Sequence, residues 1–353
     1  MIGGQPITTP IYKSLFKRNP FCAPSPAALP DTDSPWRLAI YDIGLLANKS
    51  LYLVWLLWPF ASNNPNDELY FKKWGNIVSL ARQIFLVFYA FAVLAVMGTF
   101  LLLGVFALLP PLAFTLAPIG TLLGLITWGQ MTDPLKYPSK AGKVYPGESW
   151  LFVNGICVDS VWLQENCELL ASMFGRRVVG IHNRSFGLVF DLVECLLQRD
   201  MGYVTDDARQ AYASVKSELL REDVNKVVFI AHSQGSIIAS MVVDRLLTTL
   251  PEDAVKKLEV YTFGSAANHM HDGNGLIRHI EHFANGGDFV SQTGVLAYTP
   301  LKQPGNEYRG HLYIDSKAKG HLLNMHYLGN TFKAGKKAME SRLASYLGGK
   351  QVQ

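Results

Sequence analysis

The stretch Val227-Val228-Phe229-Ile230-Ala231-His232-Ser233-Gln234-Gly235 decides the fold. Its first half is an apolar run of strand character that stops at Ala231-His232-Ser233-Gln234-Gly235. From Ser236 to Leu247 apolar residues return at helical spacing. A serine on a tight strand-to-helix turn has its hydroxyl held out at the edge of a sheet. Small residues two before and two after it let the backbone turn that sharply. The pattern predicts a nucleophile elbow and, with it, serine-hydrolase chemistry.

Around this elbow, strand and helix patterns alternate from Tyr145 onward. Strands are predicted at residues 149–155, 177–182, 226–231, 258–263, 277–283 and 308–314. Helices are predicted at 161–174, 186–197, 206–220 and 237–247, with a closing helix at 327–347. Such repetition implies a mostly parallel α/β sheet with helices on both faces, over a domain spanning residues 145–349.

A serine hydroxyl is a weak nucleophile until a base removes its proton, and a carboxylate best orients that base. In such sheets the order along the chain is Ser, acid, His. The acid should therefore follow a strand after Ser233. Asp288, in Ala284-Asn285-Gly286-Gly287-Asp288-Phe289-Val290, follows the 277–283 strand and is preferred. Asp272, in a His271-Asp272-Gly273 turn, competes. The histidine should follow the last strand, where Lys319-Gly320-His321-Leu322-Leu323-Asn324-Met325-His326 offers His321, with His326 as the alternative base. His232, beside the nucleophile, reads as packing for the elbow. The oxyanion hole is expected from the backbone N–H of Gln234 and from the loop after Val153-Asn154-Gly155, at Ile156. No histidine or cysteine spacing suggests a metal site, and no cofactor is expected.

The stretch from Trp150 to Leu328 resembles the lipase and serine-esterase branch of the α/β-hydrolases. It is most similar to membrane-associated lipase-like proteins of filamentous fungi. Five segments carry the resemblance: Phe152-Val153-Asn154-Gly155, Gly180-Ile181-His182-Asn183-Arg184-Ser185-Phe186-Gly187, Ala231-His232-Ser233-Gln234-Gly235, Asn285-Gly286-Gly287-Asp288-Phe289-Val290 and Gly320-His321-Leu322-Leu323-Asn324. The resemblance implies Ser233 as nucleophile, Asp288 as acid and His321 as base. Ala231 stands where a glycine is common, and Asn154-Gly155 where many lipases have His-Gly. The resemblance implies no particular substrate.

The N-terminal third reads differently. Hydrophobic residues make up 49 % of the 353-residue chain and charged residues 17 %. The apolar excess is local, because no charged residue occurs from Gln83 to Thr132. Residues 1–35 read as a flexible tail without a signal peptide. Residues 36–82 form an amphipathic or interfacial helical region; its stretch 36–60, which ends in the aromatic block 51–60, either lies in a membrane interface or packs on the hydrolase domain. Residues 83–132 read as a membrane hairpin or two spans. The run at 84–109 exceeds the ~30 Å hydrocarbon core, Pro110-Pro111 breaks it, and a second run covers 112–128. Basic residues on both flanks (Lys72, Lys73, Arg82; Lys136, Lys140, Lys143) favour both ends on the cytosolic face.

The net charge of +4 is too small to argue for nucleic acid. The four cysteines show no disulfide spacing, which fits a reducing compartment. The sequons at Asn48 and Asn183 read as unglycosylated. The sequence thus predicts a membrane-anchored lipid ester hydrolase, placed at the endoplasmic reticulum or a lipid droplet with its catalytic domain facing the cytosol. Its expected partners are a bilayer or monolayer and an acyl-ester substrate. An acyl-protein thioesterase, an acyltransferase and a non-catalytic membrane scaffold are the alternatives.

Overall fold

The computed structural model describes residues 28–103 and 136–352. The first 27 residues of the expected tail, the Pro110-Pro111 break and the second apolar run lie outside the described residues.

Seven strands form one sheet: β1 (Lys136–Pro138), β2 (Glu148–Val153), β3 (Val178–Ile181), β4 (Lys226–His232), β5 (Leu258–Phe263), β6 (His279–Gly287) and β7 (His311–Lys319). Their order is β1-β3-β2-β4-β5-β6-β7. All neighbours are parallel except β1, a short antiparallel edge on β3 that the sequence pattern did not reveal. The expected α/β-hydrolase-type sheet with helices on both faces is present. Every residue of β4 is buried, because helices cover it from both sides.

Alternation along the central strands builds two cores. Val227, Phe229, Ala231 and Val260 face one cluster, which includes Ala211 and Val215 of α5 (Asp206–Leu219) and Ile238 and Val242 of α6 (Gly235–Thr249). Val228, Ile230, Tyr261 and Phe263 face the other, with Leu163, Cys167 and Leu170 of α3 (Ser160–Phe174). Local chemistry sets the helix ends. Asp159 caps α3 by accepting from Trp162 N–H, and Gly175 (φ 65°) closes it in the left-handed region.

Strand order reverses between β2 and β4, since β3 lies outside β2 and every later strand adds beyond β4. The crevice at the carboxyl ends of β2 and β4 is therefore the switch point, the usual place for a site in such sheets.

Two expected elements differ. The strand predicted at 277–283 runs on to Gly287, with a register shift between Asn285 and Gly287. Those glycines are the end of a strand against β7: a Cβ at Gly286 would meet Ser316 backbone at 3.0 Å. The helix predicted at 327–347 is broken into a π-type turn (Leu323–Leu328) and short pieces at Gly329–Thr331, Lys337–Glu340 and Arg342–Ser345. Gly335, at φ 82°, stands in a left-handed conformation that no helix continues through, and Ser341 caps a new turn.

The N-terminal region docks on the α/β domain. Helix α1 (Pro35–Lys49) buries Leu38, Tyr41, Asp42 and Leu45. Asp42 is fully buried and pairs with Arg199 of α4 (Leu188–Met201), while Tyr298 donates to the same carboxylate. Of the two readings for this region, packing on the domain is what α1 does. Its opposite side keeps Trp36, Ile40 and Ile43 exposed. Helix α2 (Trp74–Leu103) starts ten residues before the expected run, and so includes Arg82, which pairs with Asp159 at 3.5 Å. Its first turns bury Asn76, Ser79, Leu86 and Ala90, whereas Phe88, Phe91 and Leu94 are exposed. Residues 74–95 are long and apolar enough to cross a membrane, and only 22 % of their most apolar stretch is buried.

Candidate active site

Ser233 sits between β4 and α6 with φ 58°, one of three non-glycine residues in the left-handed region among those described. Such a conformation is costly for a residue with a side chain and persists only where its surroundings hold it. Here Ser233 N–H donates to Phe263 O (3.1 Å), and Ser233 O accepts from Ser236 N–H and Ala266 N–H (2.9 and 3.3 Å). Gly235 completes the turn because a Cβ there would lie 2.5 Å from Val153 O. The loop after β2 presses on the serine: a Cβ at Gly155 would fall 2.4 Å from Ser233 Cβ and 2.9 Å from its Oγ.

Asp288 follows β6, fully buried, and His321 follows β7. The structure joins them: His321 Nδ1 lies 2.9 Å from Asp288 Oδ2. The same carboxylate accepts from Tyr327 O–H (2.6 Å), Ser291 O–H (3.0 Å) and Val290 N–H (2.9 Å). Burial opposes its charge, but the adjacent imidazole and these donors outweigh burial and hold the carboxyl below its ordinary pKa. An acceptor at Nδ1 places the His321 proton there and leaves the Nε2 lone pair available. Nε2 is buried and has no hydrogen-bond partner among the described residues, Ser233 Oγ included.

The His321 ring reaches the elbow by stacking on His232, with centroids 4.6 Å apart and planes at 28°. His232 Nε2 is 2.8 Å from the His321 carbonyl, so this histidine packs the elbow as expected. Burial, aided by His321, lowers its pKa to about 3 and keeps it neutral.

His326 is committed elsewhere. Its Nδ1 accepts from Leu322 N–H (3.0 Å), which fixes the proton on Nε2, and that nitrogen faces Trp58 O at 3.0 Å. With both nitrogens engaged it has no lone pair for a serine. Asp272 stays in a turn, its carbonyl accepting from Leu276 and Ile277.

Gln234 begins the turn at the N-terminus of α6. Its side chain is held by Asn183 (2.5 Å), Glu194 (2.9 Å) and Gln198 (3.0 Å). Burial raises the Glu194 carboxyl to about 7. Ile156 lies between Gly155, packed on Ser233, and Cys157, whose N–H donates to Asp191 (3.1 Å). Asn154 fixes this loop by donating to Asn183 O (2.8 Å) and accepting from Asn183 N–H (2.8 Å). Asn183 is 1 % exposed, which leaves no room for a glycan.

Several contributors escaped the sequence reading. The spacing around Tyr327 predicts a long helix, and nothing in it marks this residue as a donor to Asp288. Gly264, at φ 55°, has no room for a Cβ, which would lie 3.0 Å from both Asp288 Oδ2 and His321 Cε1. The small-residue run Gly264-Ser265-Ala266-Ala267 was its only trace. Leu56 O accepts from His321 N–H (3.0 Å), so the aromatic block at 51–60 roofs the histidine loop. Lys319 Nζ sits 3.3 Å over the Trp55 ring beside it.

Residues 175–270 match the family described as "Putative serine esterase (DUF676)". That stretch contains Ser233 and ends before Asp288 and His321. No curated protein matches the chain in sequence. Among solved structures it is similar to a hyperthermophilic esterase from the archaeon Pyrobaculum calidifontis, at 12 % identity, 54 % of this chain, 78 % of that chain and a TM-score of 0.33. A thermostable carboxylesterase cloned from a metagenomic library gives 12 %, 56 %, 84 % and 0.35. A lipase-esterase related protein from Clostridium acetobutylicum gives 13 %, 54 %, 95 % and 0.34. At these scores the likeness is too loose to bear on the site.

Proposed function

We propose that the chain is a membrane-anchored serine hydrolase that cleaves carboxylic esters of lipids. One observation carries the reading: a serine strained to φ 58° at the switch point follows His232, and on the His232 ring stacks an imidazole whose Nδ1 is held by a buried carboxylate. The similarity to serine esterases across the elbow supports it.

Ser233 Oγ attacks the acyl carbonyl while His321 Nε2 takes its proton and then delivers it to the leaving oxygen. Asp288 holds the tautomer and stabilises the imidazolium. The N–H groups of Gln234 and Ile156 receive the oxyanion, at ~3 kcal/mol for each donor. Water then cleaves the acyl-enzyme by the same route in reverse. Ser233 is 3 % exposed and His321 8 %. Substrate therefore enters through a narrow opening or by displacement of the 51–60 segment.

The exposed apolar side chains of α1, of the 51–60 segment and of α2 support a lipid substrate and a membrane setting. Basic flanks favour the cytosolic face, as at the endoplasmic reticulum or a lipid droplet.

A fluorophosphonate probe applied to wild type and Ser233→Ala tests the catalytic reading. Labelling is expected to vanish in the variant, and an unlabelled wild type ends the enzyme assignment. Lipid esters assayed against acyl thioesters then test the ester preference, and faster thioester turnover would replace the lipid-esterase reading with a thioesterase. For the anchor, the full chain should stay with the membrane pellet through an alkaline carbonate wash, because residues 74–95 alone are long and apolar enough to span. Release into the wash refutes the anchor.

A further inference from the structure

Outside the catalytic crevice, three segments bring metal-binding side chains to one point. Asp244 comes from α6, His269 and His271 from the loop after β5, and Asp31 from the turn before α1. The ligand atoms of Asp244, His269 and His271 all lie within 4.8 Å of one another. His269 Nε2 is 2.8 Å from Asp244 Oδ2, and His271 Nδ1 is 2.6 Å from Asp244 Oδ1.

The outward nitrogens complete the pattern. His269 Nδ1 faces Asn268 Oδ1 at 2.8 Å, and His271 Nε2 faces Asp31 Oδ2 at 3.3 Å. Each imidazole therefore has an oxygen acceptor at both nitrogens. A neutral imidazole carries one proton and serves one of them, while an imidazolium serves both, the form that Asp244 favours at His271 when no metal is bound. A metal ion between the inward nitrogens and the carboxylate would take the place of the inner protons: each remaining proton goes to the outer acceptor and each inner lone pair to the metal. Ligating histidines are commonly oriented in this way by an acceptor on the far nitrogen.

We propose that Asp244, His269 and His271 form a binding site for a divalent first-row transition-metal ion, oriented by Asn268 and Asp31. Two imidazoles and a carboxylate suit zinc and its neighbours, whereas calcium and magnesium prefer all-oxygen sets. All four charged or imidazole side chains are partly exposed, so an ion can enter. The role is structural: the ion ties α6, the β5 loop and the N-terminal segment together. Asn268 also donates to Arg199 O, which links the clamp to the buried Arg199–Asp42 pair. Sequence spacing shows no metal motif here because Asp244 lies 25 residues before His269. The site depends on no part of the catalytic reading.

The test is zinc titration of the chelator-stripped full chain, followed by calorimetry and melting temperature. Wild type should bind one zinc per chain and melt higher with it. The double variant H269A/H271A should lose both effects, and Asp31→Ala should weaken binding about 10-fold. Substituting cobalt(II) into wild type gives a readout that needs no variant. Weak visible bands of nitrogen and oxygen ligation support the site. A thiolate-to-cobalt band would place the ion on cysteines and overturn it, as would a wild type that binds no stoichiometric zinc or a double variant that keeps it.

Discussion

Gly155→Ala tests the contact between the loop after β2 and Ser233, the proposed nucleophile. The new methyl carbon would stand 2.4 Å from Ser233 Cβ, 2.9 Å from its Oγ and 3.1 Å from His232 O. Carbon atoms pack at about 3.5 Å or more, so loop and elbow must part by about 1 Å. Neither side yields freely. Asn154 is bonded twice to Asn183, and Ser233 is pinned by Phe263 O. A shift of about 1 Å at a reacting centre costs about 10²-fold in rate, or about 3 kcal/mol. The measurement is kcat on a p-nitrophenyl ester, with fluorophosphonate labelling rate and circular dichroism on the same sample. A folded variant whose kcat stays within about threefold of wild type, under about 1 kcal/mol, would refute the argument that this glycine seats the nucleophile.

Other outcomes follow from the same geometry. Asp288→Asn should lower kcat by about 10⁴-fold with the fold intact, because an amide no longer fixes the proton on His321 Nδ1; kcat on the same ester decides it. Tyr327→Phe deletes a 2.6 Å donor to Asp288 and should raise that carboxyl's pKa and cost about 1–3 kcal/mol of stability in urea denaturation, with a smaller loss of kcat than Asp288→Asn. His326 is held neutral by burial, its pKa lowered from 6.5 to about 4, so the unfolded chain binds the extra proton between those values. Its contribution is full above pH 6.5 and fades as pH falls towards 4. Wild type should therefore lose about 3 kcal/mol more than His326→Gln over that range, and parallel pH–stability curves would contradict this. Asp42→Ala strands the buried Arg199 guanidinium and should cost about 3–5 kcal/mol in denaturant melts.

The sequence by itself determined the local frame of the fold and nominated, in chain order, the residues of the proposed site. Strands and helices from β2 to β5 are legible because apolar period and turn residues act over short range. The Ala231-His232-Ser233-Gln234-Gly235 turn is equally local, since its small flanking residues permit the backbone that φ 58° requires. Asp288 and His321 could be nominated from chain order alone. Choosing His321 over His326 needed the third dimension, because five residues cannot reveal that Leu322 N–H and Trp58 O occupy the second ring. The strand extension through Gly287 and the broken closing segment also depended on contacts remote in sequence. So did the roof of residues 51–60 over the histidine loop and the convergence of Asp31, Asp244, His269 and His271. Short-range sterics write themselves into neighbouring residues. A hydrogen bond between groups hundreds of residues apart leaves no mark in either stretch until packing brings the two together.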